Sequence, residues 1–165
     1  TASNTNEKIF NLDLFTAFNN YMLLLDHVKP VTDQVVARFQ TGTSASSFAD
    51  ANNDYENVSS YSYNNLSSVG DTYDNSSVAI IQATNVSSDS GLGLTGTCFL
   101  HRPLDSSLHT NATYNITYVT HLSYTIALSG AGTRLALSDD AYLRFKFSSG
   151  NIDSGTITLY GIKDA

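Results

Sequence analysis

The groups in this 165-residue chain best suited to chemistry are four histidines, one cysteine, a scatter of carboxylates and a set of tyrosines. His27, His101, His109 and His121 show no H-x-x-x-H or H-E-x-x-H spacing, and Cys98 has no second cysteine with which to hold zinc. In Thr97-Cys98-Phe99-Leu100 the thiol reads as a small buried hydrophobe, and alone it makes no intramolecular disulfide. Asp50-Ala51-Asn52-Asn53-Asp54-Tyr55-Glu56 begins like a calcium loop, with oxygen ligands at alternate positions. It has Tyr55 where the sixth-position glycine belongs and Tyr61 where the twelfth-position glutamate belongs, so a polar loop is expected. Asp139 and Asp140 read as turn formers. Ser and Asp are abundant, but no G-x-S-x-G elbow marks a nucleophile. The expectation is a chain that is not an enzyme, with no catalytic residues, no metal and no cofactor.

Tyr55, Tyr61, Tyr63 and Tyr73 offer more, because a tyrosine ring is amphipathic and can lie against a sugar ring or another protein. They fall in or near a long polar stretch, Gly42 to Asn65, and a loop of that length is the first place to look for a contact surface. Ordinary surface or edge packing is the blander explanation.

Charged residues make up 14% of the chain, well under the usual quarter, and Ser, Thr and Asn replace them. Thr suits a pleated strand and Ser and Asn suit turns, so composition favours strands over helices. A net charge of −7 with scattered Lys and Arg argues against nucleic-acid binding. The closest cations, Arg144 and Lys146, are spaced as on one exposed strand face. No run of about 18 apolar residues is present, so a soluble chain without membrane insertion is expected. Thr1-Ala2 resembles the start left after removal of an initiator Met, which would make this a full-length product. Six sequons, at Asn57, Asn65, Asn75, Asn85, Asn111 and Asn115, are close to what this Ser/Thr content yields by chance.

Period-two patterning supplies the elements. Residues 1–7 read as a polar arm and 8–165 as one domain. Phe10, Leu12 and Leu14 alternate as a strand. Tyr21 to Val28 reads as a strand buried on both faces, and Val35 to Phe39 as the next. Gly42 to Asn65 reads as loop with one or two short strands. Val78 to Ala83 is expected mid-sheet, and Leu94 to Leu100 follows. Tyr114 to Leu128 alternates in one long run that breaks at Ser129-Gly130-Ala131-Gly132. Leu143, Phe145 and Phe147 face one side while Tyr142, Arg144 and Lys146 face the other, and Thr156 to Ile162 closes the chain. About eight short strands without a convincing helix predict an all-β, single-domain antiparallel β-sandwich, jelly-roll-like, with a closed barrel as the alternative.

The stretch from Phe145 to Lys163 resembles the closing hairpin of a group of small virion proteins from tailed bacteriophages of marine and soil bacteria. Their ending has the form aromatic-x-F-S-S-G-N-I-x-S-G-T-I-x-L-Y-G-I-K, with Asp153 here in the variable position. A weaker likeness covers Tyr21 to Val28, Pro30, Thr32-Asp33 and Val35 to Phe39. In physical terms Gly150-Asn151 supplies the positive-φ positions of a tight turn, Ser154-Gly155 a bulge, and Ile157, Leu159 and Tyr160 anchor the last strand.

The resemblance implies a structural protein on the surface of the phage particle, made in the host cytoplasm. It would be a capsid decoration protein, knob or small tail component whose partners are other virion proteins. Such proteins commonly form homo-oligomers, trimers among them. The alternative is a receptor-binding module that grips host surface glycans through Tyr55, Tyr61, Tyr63 and Tyr73. A depolymerase or esterase would need paired carboxylates in a cleft, which the sequence does not identify.

Overall fold

A computed structural model of the chain describes residues 4–64, 69–77, 79–89 and 91–163. Within them the strands form two sheets, and every pairing is antiparallel. The smaller sheet runs β1 (Glu7–Asn11), β11 (Tyr142–Phe147), β3 (Val35–Ser44) and β4 (Ser47–Phe48), with β7 (Ile81–Val86) also paired to β3. The larger sheet runs β12 (Ile152–Ile162), β2 (Asn20–Pro30), β8 (Leu94–His101), β9 (Asn111–Val119), β10 (Thr125–Arg134), β5 (Tyr55–Tyr63) and β6 (Val69–Ser77).

The order of these strands is that of a jelly roll. Counting the meander β8–β9–β10 as one member and setting aside β4 and β12, the smaller sheet places the first, eighth, third and sixth strands side by side. The larger places the second, seventh, fourth and fifth. That interleaving of two Greek keys defines the eight-stranded jelly roll, here widened by a two-strand insertion and an added edge strand.

One core joins the sheets. Phe39, Leu143, Phe145 and Phe147 descend from the smaller sheet onto Leu23, Leu25, Cys98, Leu100, Tyr114 and Ile116 of the larger. Phe145 packs against Phe39 at 4.8 Å and Phe147 at 5.2 Å between ring centroids, aromatic contacts beyond plain area burial. The alternation read through β11 holds residue by residue, and Cys98 is buried as expected.

Several sequence expectations need correction. The arm is not loose where it is described: Glu7 opens β1, and the Ile152 N–H donates to the Thr5 carbonyl at 2.7 Å. Leu12 and Leu14 lie in a 3₁₀ turn (Leu12–Phe15), because the Asn11 side chain accepts from the Asp13 N–H and the Tyr21 hydroxyl sits among the Leu12, Phe15 and Phe18 carbonyls. β2 is buried on one face only, with Leu24 exposed and Met22 half-buried. The stretch Gly42 to Asn65 contains the whole of β5, a nine-residue interior strand. β7 starts at Ile81 and flanks β3 instead of lying mid-sheet; Val78 lies outside the described residues. The run from Tyr114 to Leu128 is a hairpin turning at Thr120 to Tyr124, and Ser129–Gly132 lies inside β10. Gly130 is not a turn residue: a Cβ there would strike the Tyr114 ring. In the closing hairpin Gly150, at φ 71°, and Gly155, at φ 111°, take a positive φ while Asn151 does not, and Thr32 occupies the space a side chain at Gly150 would need. Register shifts around Ser154 form the expected bulge, whereas Tyr160 points outward and is exposed.

Candidate functional site

β5 determines where the tyrosines go. Along it Tyr55, Asn57, Ser59, Tyr61 and Tyr63 face inward while Glu56, Val58, Ser60 and Ser62 face out. Tyr55 is 0% exposed. Its hydroxyl accepts the Thr41 N–H at 2.8 Å and lies 3.2 Å from the Ala49 carbonyl, with the Arg134 guanidinium over the ring at 5.6 Å. It is a core residue and offers no face to a partner, correcting its place in the candidate set. Tyr73 of β6 pairs with Val58 on the outward face and is 70% exposed. The four tyrosines therefore share no single surface. Tyr61 and Tyr63 alone are brought together, edge to face at 5.3 Å.

Those two rings line a cleft of about 240 Å³ between β5, β6 and β7. Asn57, Ser59, Thr72, Asp74, Gln82 and Thr84 supply amides, hydroxyls and one carboxylate, and Tyr118, Ile126 and Leu128 add to its walls. The polar groups hold one another: Asn57 Nδ2 donates to Ser77 Oγ at 2.8 Å, the Ser59 and Thr72 hydroxyls pair at 2.6 Å, and Gln82 Nε2 donates to Ser77 Oγ and lies 3.5 Å from Asp74. Burial pushes the Tyr118 phenol up to about 12, a hydrogen bond with Thr84 opposing part of that rise. Tyr63 continues into an adjoining hollow with Thr120, Leu122 and Tyr124, its ring 6.2 Å from that of Tyr124. Sequence reading missed Tyr118, Tyr124, Asp74, Gln82 and Thr84. The alternation of β9 is the signal that turns Tyr118 inward.

The outward faces form the other candidate surface. On the larger sheet, register aligns Tyr160, Met22, Phe99, Thr113, Ala131, Val58 and Tyr73 in one row across all seven strands. Val58 is 50% exposed. The next row is Thr158, Leu24, Thr97, Asn115, Ser129, Ser60 and Asp71, laced by bonds such as Ser129 to Asn115 at 2.6 Å. No Lys or Arg falls in either row.

The smaller sheet's outward face differs. Arg144, expected on an exposed strand face, is 13% exposed. It donates through Nε and Nη2 to Gln40 Oε1 at 3.0 and 2.7 Å, reaches Glu7 and Asp50 at 3.5 Å each, and stacks on Phe48 at 4.2 Å.

The remaining chemistry-bearing residues are held structurally. Asp140 is not a plain turn former: it is fully buried, accepting from Thr110 Oγ1 at 2.7 Å and Ser138 Oγ at 3.1 Å, with Arg134 at 3.8 Å. Asp54 closes its own turn by accepting the Ala51 N–H at 2.8 Å. His27 contacts Asp26, His101 contacts Thr113, and His109 bonds the Arg134 carbonyl, so none of these contacts ties a histidine to a serine. Burial raises the Cys98 thiol far above its ordinary range, which keeps it unreactive. Among the described residues no three His, Cys, Asp or Glu side chains gather as a metal site, and no helix is long and apolar enough to cross a membrane. Comparison with protein-family models, curated proteins and solved structures finds no match.

Proposed function

We propose that this protein is a non-enzymatic structural component of a tailed-phage particle, docking onto other virion subunits through the outward face of its larger sheet. The observation that carries the reading is the row from Tyr160 to Tyr73: Tyr160, Val58 and Tyr73 are exposed and aligned with half-buried Met22 and Phe99, among neighbours that are mostly short and polar, Glu56 and Asp71 being carboxylates among them. Charged residues are costly to desolvate at an interface and long ones are costly to immobilise, and this face has few of either. Jelly rolls recur in viral capsid domains, and the Phe145 to Lys163 ending resembles that of small phage virion proteins. A fold alone does not assign a function, so the reading rests on the face.

A second reading, adhesion to host surface glycans, is favoured by the cleft that joins Tyr61 to Tyr63. Adding the purified chain to particles that lack it tests the first reading. Stoichiometric attachment that Val58→Lys abolishes is expected; attachment unaffected by that change, or none at all, refutes it.

A further inference from the structure

We propose that the cleft between β5, β6 and β7 is a saccharide subsite that holds one uncharged pyranose ring against Tyr61 and Tyr63. This deepens the adhesion reading and rests on it.

β5 breaks a rule of sandwich packing. Inward positions of a sandwich strand normally carry apolar side chains, yet on β5 the positions between Tyr55 and Tyr61 are Asn57 and Ser59. Their cross-strand partners on β6 are Asp74 and Thr72, also polar. Every polar group placed there needs a hydrogen-bond partner, so the packing of the sandwich gains nothing from them that Val or Leu would not give more cheaply. Places where local pattern and global fold disagree in this way mark functional surfaces.

Geometry then restricts the ligand. Tyr61 and Tyr63 are half-buried where a core ring would be fully buried, and their rings stand at 88° to each other, forming a corner in the wall of the cleft. A pyranose has an apolar C–H face ringed by hydroxyls that both donate and accept. In such a corner one tyrosine ring lies along that face while the other meets the sugar's edge, and the Gln82 amide, the Asp74 carboxylate and the Thr72 and Thr84 hydroxyls line the same cleft as acceptors and donors. Among the described residues the lining contains a carboxylate and no Lys or Arg, which turns away uronic acids and other anionic sugars. A volume of about 240 Å³ falls below the roughly 300–1,000 Å³ of sites for drug-sized ligands, which leaves room for a single ring.

The test titrates the full chain with glucose, galactose, mannose, rhamnose and N-acetylglucosamine at millimolar concentration, with glucuronic acid as the anionic control. Saturation-transfer NMR provides the readout, and an array of bacterial surface polysaccharides is probed in parallel. At least one neutral sugar is expected to bind, with glucuronic acid about ten-fold weaker or more. Tyr61→Ala and Tyr63→Ala should each weaken binding by at least about ten-fold, and Leu137→Ala, exposed and outside the cleft lining, should leave it unchanged. If a tyrosine variant fails to fold, Gln82→Ala carries the same test with little change in packing. Failure of every neutral sugar to bind overturns the subsite, as does binding that survives in the cleft variants. Polysaccharide binding without monosaccharide binding overturns the subsite and leaves adhesion standing, whereas the absence of both overturns the two together.

Discussion

On the outward side of the smaller sheet, long side chains close over the strands: Arg144 reaches sideways to Gln40, Glu7 and Asp50 while its guanidinium sits over the Phe48 ring. On the outward side of the larger sheet the side chains are mostly Thr, Ser and Asn, too short to cover their neighbours, and the apolar row between them stays in the open. Both are outer faces of one sandwich, one finished for solvent and the other left ready for a partner. A guanidinium with several satisfied acceptors resists being undressed by an incoming protein. A hydroxyl ladder loses little rotamer freedom when covered and carries no charge to desolvate.

Substitutions on each face test this division of roles. The largest expected effect is Arg144→Ala, which removes the Nε and Nη2 hydrogen bonds to the buried Gln40 and the cation over the Phe48 ring. Urea unfolding should report a loss of about 2–4 kcal/mol with docking unchanged in the folded fraction, in line with removing one partner of a largely buried polar cluster. A loss below about 0.5 kcal/mol would place this face among ordinary solvent surfaces.

Next in size is an alkaline effect that belongs to the inner side of the larger sheet. Burial raises the Tyr118 phenol from 10.0 to about 12, so as pH climbs through that interval the unfolded chain releases its proton first. The contribution is therefore complete below pH 10 and lost as pH rises towards 12, which tilts the balance to the unfolded state. Unfolding midpoints followed across that window should fall with pH, and Tyr118→Phe should flatten the slope. An identical slope in the variant would show that Tyr118 is not the source.

The smallest stability effect is expected on the outward face of the larger sheet. Val58→Lys should move the unfolding free energy by no more than about 0.5 kcal/mol, as exposed positions do, while removing attachment to the particle. Strong destabilisation there would mean that the row is part of the fold's own support and not a reserve for a partner.

The sandwich was legible wherever one face of a strand is oily and the other is not. Leu143, Phe145 and Phe147 announce β11 because burial on a single side forces strict alternation. β5 escaped notice for the opposite reason: with Asn57 and Ser59 turned inward, a nine-residue interior strand has the composition of a loop. That same inversion creates the cleft, so the feature that hides the strand in the sequence is the one that makes the candidate site. Grouping Tyr55, Tyr61, Tyr63 and Tyr73 by proximity could not separate them, since their fates follow from strand parity and register, which put Tyr55 at the core, Tyr61 and Tyr63 at the cleft and Tyr73 outside. Gly130 misled for a third reason. Glycine commonly signals a turn, but here it thins a strand so that Tyr114 can pass.

The docking claim is tested most directly by imaging a particle that carries the protein at a resolution that places its strands. The row Tyr160–Met22–Phe99–Val58–Tyr73 is expected to be covered by a neighbouring virion subunit, with the Arg144 face towards solvent. A particle in which that row is open to solvent and the Arg144 face makes the contact, or one with no place for this chain, would contradict it.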